Sequence, residues 1–151
     1  MAIVSLKELI EKKPAKSRLM AIDHSKSAWG LALANPELTV VTPFKTIACT
    51  KFSKDVLKLA ELYKEYDVAG FVIGLPVHMD GTPSPRTDSV RHFADNLLRA
   101  VEVFGQEPLI AFWDERLSTE AAAEMASHTK KDSIDALAAH YILEQAINNY
   151  K

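Results

Sequence analysis

The sequence is poor in the residues that several functional classes require. Its single cysteine, Cys49, cannot form an internal disulfide, and neither cysteines nor histidines cluster in a way that would indicate a zinc site. Only five glycines occur in 151 residues, and they do not form the glycine-rich loops that hold phosphate groups in nucleotide-binding enzymes. A nucleotide-binding protein of the sugar-kinase type is therefore disfavoured.

Long apolar runs are also missing. No run approaches the roughly 18 residues that a membrane-spanning helix needs, and the first segment becomes charged after a few positions, without the apolar core of a signal peptide. We therefore expect a cytoplasmic protein that does not associate with membranes. The net charge of −2 leaves nucleic acid open as a partner, because binding depends on local patches of Lys and Arg.

The hydrophobic pattern predicts a single α/β domain over residues 1–151, with a short helical extension at about 1–16. Short β-prone runs predict three strands in succession, at 18–23, 29–34 and 39–44. Apolar stripes with helical spacing predict the helices, and buried apolar runs predict two more strands between them. The remaining elements are a helix at 52–67 capped by Ser53, a strand at 69–74, a helix from Ser84 to Gly105, a strand at 109–113, a helix after 119 and a helix over 134–146. The result is a mixed five-stranded sheet, an antiparallel meander plus parallel strands, covered by helices, with the first strand central and beside the fourth.

Acidic residues follow two of the predicted strands. Asp23 ends the first strand, and Glu115 comes two residues after the apolar run 109–113, behind Asp114. Because the carboxyl ends of parallel strands meet at one edge of a sheet, we expect both acids at that edge, together with the segment 74–76. The alternative is that Asp114 and Glu115 are loop acids that favour the positive end of the next helix.

A third acid lies in the last helix. Asp135 has small neighbours at Ala138 and Ala139, which allow that face of the helix to pack closely on the sheet, whereas Asp132 precedes the helical pattern and is predicted to be its N-cap. Three clustered carboxylates would repel one another unless hard divalent cations such as Mg²⁺ or Mn²⁺ bind between them. Asp23, Glu115 and Asp135 are therefore our candidate metal ligands and catalytic residues, in a site of the two-metal phosphoryl-transfer type.

Several segments, in this order, resemble one known family over nearly the whole chain from Ile3 onward. They are VIGLP at 72–76, MDG at 79–81, DERLST at 114–119, and Ile134-Asp135 followed by Ala138-Ala139. The chain resembles the YqgF/RuvX family, Holliday-junction-resolvase-like proteins on the ribonuclease H fold that are taken as nucleases maturing the 5′ end of pre-16S ribosomal RNA. The resemblance implies that Asp23, Glu115 and Asp135 take the places of the family's acidic residues.

Two segments depart from the family pattern. The family usually has Gly two residues after its first Asp and basic residues soon after, whereas this chain has Ser25 there, followed by Lys26 alone. We therefore expect Ser25 to occupy a turn that glycine makes easily, and nucleic-acid affinity to be weakened. The segment 125–130 is also shorter than the family pattern. Both departures concern the choice of substrate rather than the acidic core.

Basic residues near the proposed edge are candidates for nucleic-acid binding. Lys26, Arg86 and Arg116 are the predicted phosphate contacts, although Arg on a helix face is ordinarily solvated or paired. His24 and His78 lie near the same edge, where a histidine can assist proton transfer but is more often incidental.

The two tryptophans, Trp29 and Trp113, lie in predicted strands. We expect them to pack in the core, because no exposed aromatic series of the kind that stacks on single strands accompanies them.

The resemblance implies a metal-dependent endonuclease of the ribonuclease H type. Its expected partners are pre-ribosomal RNA, as the substrate, and the precursor of the ribosomal subunit, and the expected oligomeric state is a monomer or a homodimer. A resolvase of branched DNA is the nearest alternative, because the same acids would serve either backbone, and it would need a two-fold dimer to cut two strands symmetrically. A non-catalytic factor that binds nucleic acid or the ribosome is the third reading.

Overall fold

The structure, a computed structural model, describes residues 3–76, 84–114 and 131–150, with the backbone alone described for 131–134. Glu115, Arg116, His78 and the helix predicted after residue 119 lie outside these ranges. The described elements are α1 (Leu6–Lys12), β1 (Arg18–His24), β2 (Ala28–Ala34), β3 (Val41–Ala48), α2 (Phe52–Glu65), β4 (Val68–Leu75), α3 (Pro85–Arg99), α4 (Val101–Phe104), β5 (Leu109–Asp114) and α5 (Lys131–Tyr150).

The five strands form one mixed sheet in the order β3-β2-β1-β4-β5. The pairs β1–β2 and β2–β3 are antiparallel, whereas β1–β4 and β4–β5 are parallel. The predicted fold class, with an antiparallel meander, a central first strand and a neighbouring fourth strand, is confirmed as a ribonuclease H-like α/β fold. Its parallel strands β1, β4 and β5 end at the same edge of the sheet.

Each face of the sheet packs against its own helices, because successive side chains of a strand point to opposite sides. Met20 and Ile22 of β1 belong to a buried cluster that includes residues of α2 and α3. Leu19 and Ala21 belong to a second cluster, on the other face, that includes residues of α1 and α5. The last two residues of β1 therefore lie on different faces of the sheet: Asp23 lies on the α5 side, and His24 lies on the α3 side.

The predicted third strand was placed too early, at 39–44 instead of 41–48. The reason is the turn that precedes it. The side-chain oxygen of Asn35 accepts hydrogen bonds from the backbone N–H groups of Thr39 and Val40, at 2.8 and 2.9 Å. These residues belong to the hairpin loop, so pairing with β2 begins only at Val41.

The predicted cap of α2 is wrong. The helix begins at Phe52, so Ser53 lies inside it, and the N-cap residue is Lys51, which makes no side-chain cap hydrogen bond. The start of the helix is held by Asp55, which is 1% exposed. Its carboxylate accepts hydrogen bonds from the backbone N–H and the hydroxyl of Thr50, at 2.8 and 2.7 Å.

Two further helix boundaries differ from the prediction. The helix that begins after Ser84 ends at Arg99, and Gly105, with φ of 83°, instead terminates the separate short helix α4. Asp132 lies within α5, which includes Lys131, so its assignment as the residue that caps this helix from outside is wrong. None of the helices in the described ranges is long and apolar enough to cross a membrane.

Candidate active site

Asp23 lies at the sheet edge where the parallel strands end. It is half-buried, and its Cα partner across the β1–β2 pair is Gly30. On its other side β1 runs in register with β4, since Ile22 pairs with Ile73 and the next residue of β4, Gly74, pairs with Trp113 of β5. The predicted edge thus brings Asp23 level with the ends of β4 and β5.

Asp135 reaches the same edge because α5 lies against the glycine that faces Asp23. A Cβ atom built on Gly30 would overlap the backbone carbonyl of Asp135 and would lie 2.9 Å from its Cβ. Directly opposed residues of an antiparallel pair have Cβ atoms about 5 Å apart on the same face. The Cβ atoms of Asp23 and Asp135 therefore lie within about 8 Å of each other, which leaves room for their carboxylates to share bound cations spaced roughly 4 Å apart.

Gly30 was not selected by sequence reasoning. A glycine inside a strand often marks the close approach of another backbone, and this was the available signal. Here the approaching backbone belongs to α5, whose neighbouring residues Ala139 and Ile142 are buried at 0% and 1% exposure against the same face of the sheet. The small residue on β2 is what allows an acid of the last helix to come so close to the first strand.

The donor chemistry of this acid pair suits a hard divalent cation, since carboxylate oxygens are the ligands that Mg²⁺ and Mn²⁺ prefer. Across residues 3–76, 84–114 and 131–150 there is no group of three His, Cys, Asp or Glu residues that could hold a metal ion. The third predicted ligand, Glu115, lies outside these ranges. The residue before it, Asp114, is the last of β5, is exposed, and has Leu75 as its Cα partner.

The turn between β1 and β2 does not need a glycine at Ser25. In the described part of the chain, only Leu38 and Asp67 among non-glycine residues have positive φ, so the expected backbone strain at Ser25 is absent. The Ser25 hydroxyl donates to the carbonyl of Ala28 at 2.9 Å and accepts from its N–H at 3.1 Å, and the Ser25 N–H donates to the same carbonyl at 3.0 Å. These bonds close the turn and leave Lys26 exposed at its tip.

Arg86 is the second predicted phosphate contact at this edge. It is an exposed residue in the first turn of α3, and its guanidinium donates a hydrogen bond of 3.1 Å to the carbonyl of His24. The third, Arg116, lies outside the described residues. The structure thus brings Lys26 and Arg86 to the end of the strand that carries Asp23.

His24 is directed away from the acid pair. Its ring stacks on Phe93 of α3, with the centroids 4.5 Å apart. Burial, and secondarily the nearby charge of Arg86, lower the pKa of His24 to about 4. The imidazole is therefore neutral near pH 7, so it does not supply a protonated general acid there.

A groove of about 300 Å³ opens beside His24, on the α3 side of the sheet. Cys49 lies on its wall, half-buried, with a free thiol. Burial raises the pKa of this thiol, and the negative charges of Asp55 and Asp135 raise it further. Cys49 is thus a neutral thiol near the acid pair rather than an activated nucleophile.

The fold and this edge define an α/β protein of the ribonuclease H type with an acidic pair at the ends of its parallel strands. The sequence model of one family, described as "RuvX: Holliday junction resolvase", matches residues 17–149. The chain belongs to this RuvX family, as the sequence motifs indicated. The matched range begins after α1.

Three relatives illustrate the similarity, and each carries the name "Putative pre-16S rRNA nuclease". The chain is 43% identical to the protein of Rhodospirillum centenum, over all of this chain and 84% of the relative. It is 39% identical to that of Paramagnetospirillum magneticum, over 99% of this chain and 97% of the relative. The protein of Beijerinckia indica is 40% identical, over 93% of this chain and 87% of the relative.

Proposed function

We propose that this protein is a metal-dependent endonuclease that cleaves the 5′ side of pre-16S ribosomal RNA in the cytoplasm. The observation that carries the proposal is the close packing of α5 on Gly30, which puts Asp135 on the same face as Asp23 at the end of β1. The names of the relatives support the choice of an RNA substrate. Hydrolysis of a phosphodiester bond is the reaction for which such an arrangement of acids is suited.

The residues of the proposed site divide into metal ligands and phosphate contacts. Asp23, Asp135 and Glu115 would hold Mg²⁺ or Mn²⁺, whose charge would lower the pKa of a bound water and would stabilise the leaving oxygen. Lys26 projects from the β1–β2 turn and binds a phosphate group of the RNA by charge. Arg86, held beside the strand end by its hydrogen bond to the backbone of β1, orients the RNA at the same edge.

Arg116 directly follows the proposed ligand Glu115 in the chain, and we propose it as a further phosphate contact. These contacts track the RNA backbone and carry no sequence information of their own.

A resolvase of branched DNA is the second candidate, because the family model is described by that activity. The same acids would serve it, but symmetrical cleavage of a four-way junction requires two active sites related by a two-fold axis. A monomeric enzyme that cuts RNA therefore argues against this candidate, and a dimer that cuts junctions in pairs argues for it.

The deciding experiment incubates the purified protein with 5′-extended pre-16S RNA and with a four-way DNA junction, in Mg²⁺, in Mn²⁺ and in chelator. We expect metal-dependent, single-turnover cleavage of the RNA. Asp23→Asn, Glu115→Gln and Asp135→Asn should each lower the rate at least about a hundredfold, because each removes a metal ligand while leaving the packing intact.

The matched control is Asp132→Asn, which changes an acid of the same helix and should leave cleavage near normal. Cleavage at the wild-type rate in an Asp23→Asn protein would refute the metal-ligand assignment for that residue. RNA binding without cleavage by the wild-type protein, unchanged in Glu115→Gln, would instead identify a non-catalytic binding factor.

A further inference from the structure

The groove beside His24 has an aromatic floor. Phe52, at the start of α2, and His24, at the end of β1, are half-buried and present ring surface to it. Beneath them Trp29 and Phe93 are only 3% and 4% exposed and pack at 4.8 Å between centroids. Phe52 is 6.0 Å from the Trp29 ring and 6.5 Å from the Phe93 ring. The buried pair thus supports the two partly exposed rings from below.

The walls of the groove are polar. Ser89, His92 and Asn96 line it from α3, and Lys26 lines it from the β1–β2 turn. The carboxylate of Asp55 also borders the groove, but it accepts two hydrogen bonds from Thr50 at 2.8 and 2.7 Å. Partly exposed aromatic rings with hydrogen-bonding groups beside them form the environment in which proteins hold an unpaired base.

The size of the groove limits what it can accept. About 300 Å³ is at the lower end of the range for small-molecule pockets, and suits one ring system and its sugar rather than a stack of bases or a helical peptide. The lysine at the rim adds a positive charge, which complements the phosphate attached to a bound nucleoside. A single nucleotide unit matches both the volume and the chemistry.

The groove and the acid pair lie on opposite faces of the sheet but at the same strand end. His24 follows Asp23 directly, so their Cα atoms are about 3.8 Å apart, yet their side chains point to opposite sides of β1. Cys49, which lines the groove, directly follows Ala48. The Cα partner of Ala48 is Ala28, two residues before Gly30, on which Asp135 packs, so the two regions are also close through the β2–β3 end. A chain that crosses this edge can present a phosphate to one face and a base to the other.

We propose that this groove binds one unpaired nucleobase of the RNA, adjacent to the phosphodiester bond at the acid pair. The inference rests on the proposed function and adds a requirement to it: the nucleotide next to the cleaved bond is single-stranded and turned out of any stack. Base pairing of that nucleotide would withhold its ring from Phe52 and His24. The protein would then select a flexible segment of the RNA beside a helix rather than the helix itself.

The test measures binding without cleavage, by fluorescence anisotropy in chelator, using RNA oligonucleotides that carry a single abasic site at successive positions around the cut. For the wild-type protein we expect one position at which the abasic site weakens binding about tenfold, the size of effect that loss of one base-stacking contact produces. In Phe52→Ala the same abasic site should weaken binding less than about twofold, because the stacking partner is already missing.

Phe52→Leu and Phe52→Tyr separate the loss of the aromatic ring from a loss of folding. Leucine fills the same apolar space without a flat ring and should behave like alanine, whereas tyrosine should restore the sensitivity to the abasic site. Leu57→Ala is the matched control, because Leu57 lies on the same helix, is 52% exposed and does not line the groove. It should keep the wild-type pattern.

The outcomes separate this inference from the proposed function. RNA that is cleaved in metal and bound in chelator, but with no position that depends on Phe52, would overturn the base-binding groove and leave the nuclease assignment intact. Failure to bind or cleave RNA at all would overturn both.

Discussion

The contact between Gly30 and α5 predicts that Gly30→Ala damages the active site more than the fold. The added methyl group would meet the backbone carbonyl of Asp135 and would lie 2.9 Å from its Cβ. Carbon atoms pack at about 3.5 to 4.0 Å, and the carbonyl group of Asp135 lies even closer to the added methyl than its Cβ does, so the helix backbone has to move by more than about 1 Å. A backbone cannot rotate out of the way as the end of a long side chain can.

The size of the effect follows from these distances. Overpacking of this kind costs about 1–3 kcal/mol, which in a domain of this length corresponds to a melting temperature lower by about 3–10 °C. Displacement of a catalytic group by about 1 Å can lower the rate about a hundredfold. We therefore expect a folded protein with a large loss of metal-dependent cleavage at 25 °C, because Asp135 moves away from Asp23.

Gly70→Ala provides a matched control for overpacking. A Cβ there would lie 2.6 Å from the carbonyl oxygen of Leu109 and 2.6 Å from a methyl group of Leu9, so the clash is of the same kind. Gly70 pairs with Leu19, four residues before Asp23 and roughly 13 Å from it along β1. The variant should melt at a lower temperature but cleave at close to the wild-type rate wherever it is folded.

The assay is single-turnover cleavage of pre-16S RNA by both glycine variants, with melting followed by circular dichroism. Wild-type melting and wild-type cleavage by Gly30→Ala would refute the close approach of α5 to β2. Equal losses of activity in the two variants, in proportion to their losses of stability, would refute the claim that the position of Asp135 is what Gly30 secures.

Three other expectations concern the same region. Saturating Mg²⁺ or Mn²⁺ should raise the melting temperature modestly, because ions that bind the acids only in the folded protein stabilise it by mass action. The gain should vanish in Asp23→Asn. Wild-type melting curves that neither ion changes would contradict a metal site in the free protein. Asp55→Ala should lower the free energy of unfolding by about 2 kcal/mol in urea denaturation, because its carboxylate accepts two hydrogen bonds that hold the start of α2. Ser53→Ala should change this free energy by less than about 0.5 kcal/mol. A larger loss in Ser53→Ala than in Asp55→Ala would show that the serine caps the helix after all. The pKa of Cys49 is raised by burial and by the negative charges of Asp55 and Asp135, so its alkylation by iodoacetamide should require a higher pH in the folded than in the unfolded protein. Asp135→Asn should shift the pH dependence of alkylation in the folded protein to lower pH. The same pH dependence in the folded wild-type and Asp135→Asn proteins would show that the charge of Asp135 does not affect the thiol.

Local patterns in the sequence determined the order of the elements and the topology of the sheet. Three short β-prone runs with short connections favour an antiparallel meander, and strands joined by amphipathic helices usually return parallel. The same patterns were less exact at the ends of elements. Several polar residues near the start of α2 could cap it, and the choice of Asp55 over Ser53 depends on where Thr50 is held, which no propensity encodes.

The turn after Asp23 shows the same limit. Sequence comparison suggested that a glycine was missing there, but the hydroxyl of Ser25 makes two of the hydrogen bonds that close the turn, at an ordinary φ. A side chain that bonds to its own turn can replace the conformational freedom of glycine, and this depends on three-dimensional geometry rather than on residue type.

The candidate site was determined partly by sequence. The positions of Asp23 and Asp135 at the end of a strand and on the buried side of a helix could be inferred from periodicity, and Glu115 stays a prediction. Only the tertiary structure decided that Gly30 lies between these elements, that α5 rests directly on it, and that an aromatic groove forms on the opposite face. The physical reason is that periodicity depends on neighbours along the chain and fixes which face a side chain occupies. How closely two faces approach depends on the volumes of residues that meet across more than a hundred positions of sequence, as Gly30 and Asp135 do.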